Sequence, residues 1–278
     1  MITKVSPAKL NLSLRVIRKR ADGYHDILSL MQRISLCDEM TFTPTKGRIV
    51  VSCPDSGLPE DEGNIIYRAA KVFFSRAALE PGIEIIVRKK IPIAAGLGGG
   101  SSNAATTLMT LNEFFGSPFT TTDLMSMGSG LGADVPFFIF GKTAWASGIG
   151  DRLVEAAPLP PLWFVLINPG FSVSTKTVYQ GLNLGLTKQA IHYSIPRFST
   201  LGDVLQDLTN DLEKVTLKLY PVLEHIKAVL MDNGALGALM SGSGPTVFGI
   251  FTDQESAVKA ESRLMLDHRW SVFRACAL

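Results

Sequence analysis

The sequence predicts an α+β protein built as two domains, and three observations predict it. Up to residue 52 the chain reads as strands, with apolar and polar side chains alternating, and helical periodicity enters after that. The run Ala157-Pro158-Leu159-Pro160-Pro161 is heavy punctuation with no helix-compatible neighbours, which suits a linker. Beyond it the expected elements follow the order β-α-β-β-α-β, the split βαβ pattern of ferredoxin-like domains. The boundary is therefore placed between residues 157 and 158, giving domains 1–157 and 158–278.

Taken in order, Leu10, Leu12, Leu14 and Val16 alternate along a first strand, and Arg20-Ala21-Asp22-Gly23 supplies a turn before an apolar stretch from Ile27 to Leu36. Shorter strands are expected at Met40 to Thr43 and Ile49 to Ser52. A helix fits 64–79, capped by Asn64, with Ile66, Ala69, Ala70 and Phe73 toward one side. Ile83 to Val87 is strand-like, and helices follow at 102–115, ending at Gly116, and at 121–129. After the linker come a strand at Trp163 to Ile167, a short helix at 175–180, and a polar loop over 183–200. One long amphipathic helix is expected from Glu213 to Met231, closed by Asn233-Gly234. Strands at 236–240 and 247–251, a helix at 254–266 and a strand at 271–275 complete the chain.

Composition narrows the functional classes. A chain of 278 residues has room for two domains, and 46% hydrophobic against 19% charged residues argues for folding by apolar burial, not for disorder or a coiled coil. Lys plus Arg is 27 against 25 for Asp plus Glu, a net +2 that does not call for nucleic acid or anionic lipid as partner. The clusters Arg18-Lys19-Arg20 and Arg88-Lys89-Lys90 still suit a small polyanion. Cys37, Cys53 and Cys276 form no CxxC pair, so reduced thiols are expected, with neither a zinc site nor a disulfide framework. The start, Met1-Ile2-Thr3-Lys4, does not read as a signal peptide, and no apolar run approaches the roughly 18 residues of a membrane span. A cytoplasmic protein is expected.

Four segments carry chemistry. Residues 92–103 read Pro92-Ile93-Ala94-Ala95-Gly96-Leu97-Gly98-Gly99-Gly100-Ser101-Ser102-Asn103, between a strand and a helix. Glycines let the backbone approach a bulky anion, and N–H groups at the following helix start point at it. Ser101 and Ser102 add hydroxyls for phosphate or a metal ion. The segment is not a Walker A loop, since no Gly-Lys-Ser/Thr follows, nor a Rossmann fingerprint, since Asn103 replaces the third glycine; a plain flexible loop is the bland alternative. Lys9 and Asn11 share one strand face opposite Leu10 and Leu12, as a pair reaching into a cleft or as ordinary solvent-facing residues. Asp134, in Gly132-Ala133-Asp134-Val135-Pro136, is either a reactive carboxylate or a helix N-cap. Met240-Ser241-Gly242-Ser243-Gly244-Pro245-Thr246 is a fourth candidate, or simply a tight connection between strands.

Together these segments resemble the galactokinase, homoserine kinase, mevalonate kinase and phosphomevalonate kinase superfamily, whose three motifs occur here in order. Pro7-Ala8-Lys9-Leu10-Asn11-Leu12, Gly23-Tyr24-His25, Gly96 to Ala105, Gly132 to Pro136 and Asn210-Asp211-Leu212-Glu213 are similar to the branch that phosphorylates a cytidine-diphosphate-linked methylerythritol on the non-mevalonate route to isoprenoid precursors. The resemblance implies an N-terminal α/β domain like the second domain of ribosomal protein S5 and a C-terminal ferredoxin-like domain. It implies ATP as co-substrate with Mg²⁺, and transfer of the γ-phosphoryl group to a tertiary 2-hydroxyl, where positioning and charge stabilisation dominate. Lys9 and Asp134 match the catalytic lysine and aspartate of the family. By the same resemblance Asn11, Tyr24, His25 and Tyr179 bind the alcohol substrate, with the two tyrosines sandwiching cytosine and His25 reading its edge. Asn64 and Lys89 join residues 92–102 on the nucleotide side. The metal ligands are left unassigned. His192, His225 and His268 have no such setting. A monomer or weak homodimer is expected. Another kinase of the superfamily, or a non-catalytic ATP and ligand sensor on the same fold, are the rival readings.

Overall fold

The protein is described from a computed structural model, which covers residues 1–182, 198, 200–266 and 268–278. Its elements in chain order are β1 (Ile2–Lys19), β2 (His25–Pro44), β3 (Ile49–Ser52), α1 (Ile65–Ala77), β4 (Ile83–Arg88), α2 (Gly99–Phe114), α3 (Thr121–Ser129), α4 (Val135–Phe140), β5 (Ala144–Gly148) and β6 (Arg152–Glu155). There follow β7 (Trp163–Asn168), α5 (Thr175–Gly181), α6 (Leu201–Gln206), β8 (Thr209–Asn210), α7 (Glu213–Leu219), α8 (Val222–Asp232), β9 (Gly237–Met240), β10 (Val247–Phe251), α9 (Gln254–Leu264) and β11 (Ser271–Cys276).

Chain contacts define two compact units, and β1 and β2 are long enough to supply residues to both. The first unit comprises Met1–Ala8, Cys37–Pro92 and Gly98–Gly141. Here the end of β2 pairs antiparallel with β4, from Glu39 opposite Arg88 to Pro44 opposite Ile83, and β3 runs parallel to β4. Helices α1 to α4 pack together, with Phe73, Phe74, Phe115 and Phe119 in mutual ring contact at centroid distances of 5.4–6.0 Å. Such pairs fix helix orientation beyond what area burial alone supplies.

The second unit comprises Lys9–Leu36, Ile93–Leu97 and Lys142–Leu278. Its four-stranded antiparallel sheet has the order β11-β7-β10-β9, so the last strand lies beside the first. Helices α8 and α9 cover it, burying Leu223, Ile226 and Leu230 with Ala257, Ala260 and Leu264 against Val165, Ile167 and Val247. This is the ferredoxin-like arrangement expected from the element order. In the same unit β5 pairs with Ile27–Met31 of β2, β6 pairs with β5, and β8 runs parallel to β1 at Ser13 and Leu14.

Several local expectations are corrected. The single helix from Glu213 to Met231 is two helices, α7 and α8, because Pro221 follows Tyr220. Proline offers no N–H and drives the preceding residue out of the helical region, and Tyr220 stands at φ −134°, ψ 75°. The stretches 27–36 and 40–43 are one continuous strand, β2, and α2 begins at Gly99 instead of Ser102. Strands β5, β6 and β8 and helix α6 had no strong periodic signal, being two to six residues long. The loop expected over 183–200 falls almost wholly outside the described residues, as does His192.

Candidate active site

In the first unit the glycine-rich segment ends on a helix start built without a side-chain cap. Gly98 occupies the N-cap position at φ 70°, a left-handed conformation that glycine adopts without a Cβ clash. The N-cap residue supplies no side-chain acceptor to the first-turn N–H groups of α2, an arrangement compatible with an anion site. Ser102 is fully buried and its hydroxyl accepts from Ser6 Oγ at 2.8 Å, whereas Ser101 is half-buried. Lys89, expected on the nucleotide side, lies against the same helix start. Its ammonium pairs with the buried Asp38 carboxylate and donates to Asn103 Oδ1 at 3.1 Å. A Cβ on Gly99 would stand 3.3 Å from Lys89 Nζ.

Asn64 caps α1 as the sequence suggested. Its Oδ1 accepts from Ile66 N at 2.9 Å, and its Nδ2 donates to Pro59 O at 2.7 Å, so both ends of the amide bond within this unit. Asp134 occupies the position before α4, yet its side chain makes no cap bond to that helix. The bland N-cap reading is therefore not what holds this half-buried residue in place.

In the second unit Lys9 and Asn11 are both buried, at 4% and 3% exposure, which excludes an ordinary solvent-facing pair. Lys9 Nζ donates to Asn11 Oδ1, Asn11 Nδ2 donates to Ser29 Oγ at 2.8 Å, and Ser29 Oγ donates to Ser13 O at 2.7 Å. This chain fixes which face of the Asn11 amide meets the ammonium. Lys9 N also donates to Leu97 O at 2.9 Å, tying β1 to the glycine-rich segment. Residues 94–97 in turn rest on the loop between β9 and β10. Ser241 Oγ donates to Gly96 O at 2.9 Å, and a Cβ on Gly96 would lie 2.1 Å from Ser241 O. That loop is held by Asn210, whose Nδ2 donates to Met240 O at 2.8 Å and Gly242 O at 2.7 Å, while Glu213 Oε1 accepts from Met240 N at 2.9 Å.

His25, 8% exposed, is in ring contact with Tyr179 at 5.1 Å and 31°, while Tyr24 is 61% exposed. Burial pushes the His25 imidazole below its ordinary pKa and the nearby Lys19 charge adds to this, so the ring favours its neutral, hydrogen-bonding form. The turn carrying Tyr24 is braced by ion pairs of Arg18 with Asp26 and of Arg20 with Asp22 and Asp26. Burial would raise Asp26, but the bonded Arg18 and Arg20 hold it below the ordinary carboxylate range. Both basic clusters thus spend arginine or lysine charge on neighbouring acids.

Residues that sequence reasoning missed are Asp38, Ser29 and the bracing role of Asn210. Asp38 had one legible signal: it alternates with the inward-facing Met40 and Phe42 on β2, where an apolar residue belongs. Among the described residues no group of three or more His, Cys, Asp or Glu side chains could hold a metal ion, and no helix is long and apolar enough to cross a membrane.

Known proteins match this chain along nearly its whole length. A family model for the GHMP kinases N terminal domain matches residues 64–142, and one for the GHMP kinases C terminal domain matches 190–267. The 4-diphosphocytidyl-2-C-methyl-D-erythritol kinase of Syntrophus aciditrophicus is 57% identical over 273 residues, covering 98% of each chain. A crystal structure of 4-(cytidine 5'-diphospho)-2C-methyl-D-erythritol kinase superposes with TM-score 0.84 at 32% identity over 99% of both chains. A homoserine kinase from Cytophaga hutchinsonii shares the fold alone, with TM-score 0.73 at 21% identity over 100% of this chain and 94% of its own. With near-complete coverage at these identities, the chain belongs to the 4-diphosphocytidyl-2-C-methyl-D-erythritol kinase family of the GHMP kinases.

Proposed function

We infer that the protein transfers the γ-phosphoryl group of ATP to the 2-hydroxyl of 4-diphosphocytidyl-2-C-methyl-D-erythritol, a step toward isoprenoid precursors. The observation that carries this is the full-length match to a kinase of that name, at 57% identity over 98% of both chains. A tertiary alcohol is crowded and weakly acidic, so catalysis rests on positioning and on stabilising developing charge.

Asp134 accepts the hydroxyl proton as general base, a role compatible with a carboxyl group not committed to capping α4. Lys9 supplies a fixed positive charge for the developing alkoxide, its ammonium held by Asn11 and, behind it, Ser29. Residues 92–102 hold the ATP phosphates, with Asn64 and Lys89 on the nucleotide side. His25, Tyr179, Tyr24 and Asn11 take the cytidine-bearing alcohol. Stacking on Tyr179 and Tyr24 accepts any base, so the neutral His25 supplies the selectivity for cytosine.

The donor set at the start of α2 fits Mg²⁺, which demands few protein ligands and takes phosphate oxygens and water for the rest. Ser101 is the hydroxyl suited to it, since Ser102 is engaged with Ser6. When bound, the ion neutralises phosphate charge. Domain 1–157 then carries ATP binding and catalysis, and 158–278 completes the substrate site. Both substrates are small and diffusible, which suits a cytoplasmic enzyme working as a monomer or weak homodimer without nucleic acid or membrane.

Phosphorylation of the cytidyl alcohol, mevalonate and homoserine, measured side by side, tests the assignment. Preference for the cytidyl alcohol is expected, and preference for either small alcohol overturns it. Asp134→Asn is expected to lower turnover about 10²–10⁴-fold with ATP affinity retained, and unchanged turnover refutes the general base.

A further inference from the structure

Beneath the start of α2 lies a buried polar network whose central carboxylate has no role in the phosphoryl-transfer scheme. Its centre is Asp38, 0% exposed. Oδ1 accepts from Lys90 N at 2.8 Å and Ile91 N at 2.9 Å. Oδ2 accepts from Lys89 Nζ and from Asn103 Nδ2 at 3.0 Å. A carboxylate offers about four lone-pair sites, and these four bonds fill them.

The identity of the partners matters more than their number. Lys89, Lys90 and Ile91 immediately precede the glycine-rich segment, and Asn103 is its last residue. Asn103 Nδ2 also donates to Ser6 Oγ at 2.9 Å, and Ser6 donates on to Ser102 Oγ at 2.8 Å. Every side-chain bond made by Asp38 therefore goes to one end or the other of residues 92–103. A buried ion pair is a poor source of stability, since well-packed apolar side chains of similar volume do as well or better. What the carboxylate supplies is direction: four donors held at fixed angles around one group.

We propose that Asp38 is a positioning residue for nucleotide binding, its carboxylate fastening the exit of β4 to the first turn of α2 and so setting the span of the phosphate-holding segment between them. The inference rests on the reading that residues 92–102 hold the ATP phosphates. Without the fastening, the two ends of the segment drift independently and the first-turn N–H groups of α2 lose their common aim. Asn103 is the link on the helix side and Lys89 the counter-charge that lets a carboxylate stay buried.

The decisive variant is Asn103→Leu, which cuts the helix-side link and leaves the Asp38–Lys89 pair intact. Titration with a non-hydrolysable ATP analogue and Mg²⁺ needs no acceptor alcohol, and it is followed by steady-state kinetics. Affinity for the analogue and the KM for ATP are each expected to weaken at least about tenfold, since the change unmakes the bonds of Asn103 to Asp38 and Ser6 and the one it accepts from Lys89. The KM for the alcohol stays within about twofold, a split that a general loss of stability would not produce. Asp38→Asn should act in the same direction, and the double variant should bind no worse than the weaker single, because both break one fastening. If Asp38→Asn fails to fold, Asn103→Leu alone decides. A folded Asn103→Leu protein that binds the analogue as wild type does overturns the positioning role. A wild-type protein that does not bind the analogue overturns the phosphate-site reading itself, and the inference with it.

Discussion

Gly96 is where one atom matters most. Its φ of 77° lies in the left-handed region, and an added Cβ would meet the Ser241 carbonyl oxygen at 2.1 Å. Neither neighbour can yield cheaply, because the obstruction is backbone and Ser241 is itself tied to Gly96 O. Gly96→Ala is expected to lower stability by about 1–3 kcal/mol and to raise the KM for ATP, measured by chemical denaturation and by initial rates. A variant of wild-type stability and KM would show that the loop can retreat from Ser241. The sequence displayed this glycine among four in five positions but could not single it out, since the obstructing carbonyl is far along the chain. Lys9 and Asn11 were legible as a pair through strand alternation, whereas their burial and the bond to Ser29 depend on a neighbouring strand.

Among the elements, α1 was the most readable from its ends. Asn64 stands immediately before an apolar-periodic run, and its side chain accepts from Ile66 N as an N-cap does. Asn64→Ala removes that acceptor and the donor to Pro59 O together. A loss of about 1–2 kcal/mol in unfolding free energy is expected by urea denaturation, at the upper end of the range for a cap because the group is buried. A loss below a few tenths of a kcal/mol would mean that water replaces the cap. The α7–α8 break teaches the converse. Amphipathic periodicity runs straight through Tyr220-Pro221, and only local backbone chemistry, with Tyr220 extended and Pro221 lacking its N–H, splits the helix.

At the scale of the whole molecule, global stability should carry the titration of His25. Its folded pKa is below its unfolded value of about 6.5, chiefly because the ring is buried and also because Lys19 is near. Above about pH 6.5 the ring is neutral in both states and its contribution to stability is fully present. As the pH falls below that value the unfolded chain takes the proton first, and stability is lost until the folded ring also titrates. Denaturation midpoints measured from pH 7.5 to 5 are expected to fall, and His25→Gln should flatten part of the decline. An identical slope in His25→Gln would remove His25 as its source. Family membership is likewise a whole-chain property, because a match over 98% of both chains spans both compact units.

The sequence by itself determined the α+β class and the β-α-β-β-α-β order followed by the C-terminal sheet and its covering helices, and it displayed glycine spacing in residues 92–103 of the kind that suits an anion. Those are local facts: alternation, caps, turn residues and glycine spacing are written along the chain. Through resemblance it also indicated Lys9, Asp134 and His25. Tertiary structure alone decided that β2 is one strand, that His25 is in ring contact with Tyr179, and that Asp38 is buried under α2. Each depends on partners distant in sequence, such as Asp38 meeting Asn103, 65 positions along the chain. A buried carboxylate is stable only if distant donors arrive to satisfy it, and no window of sequence contains them.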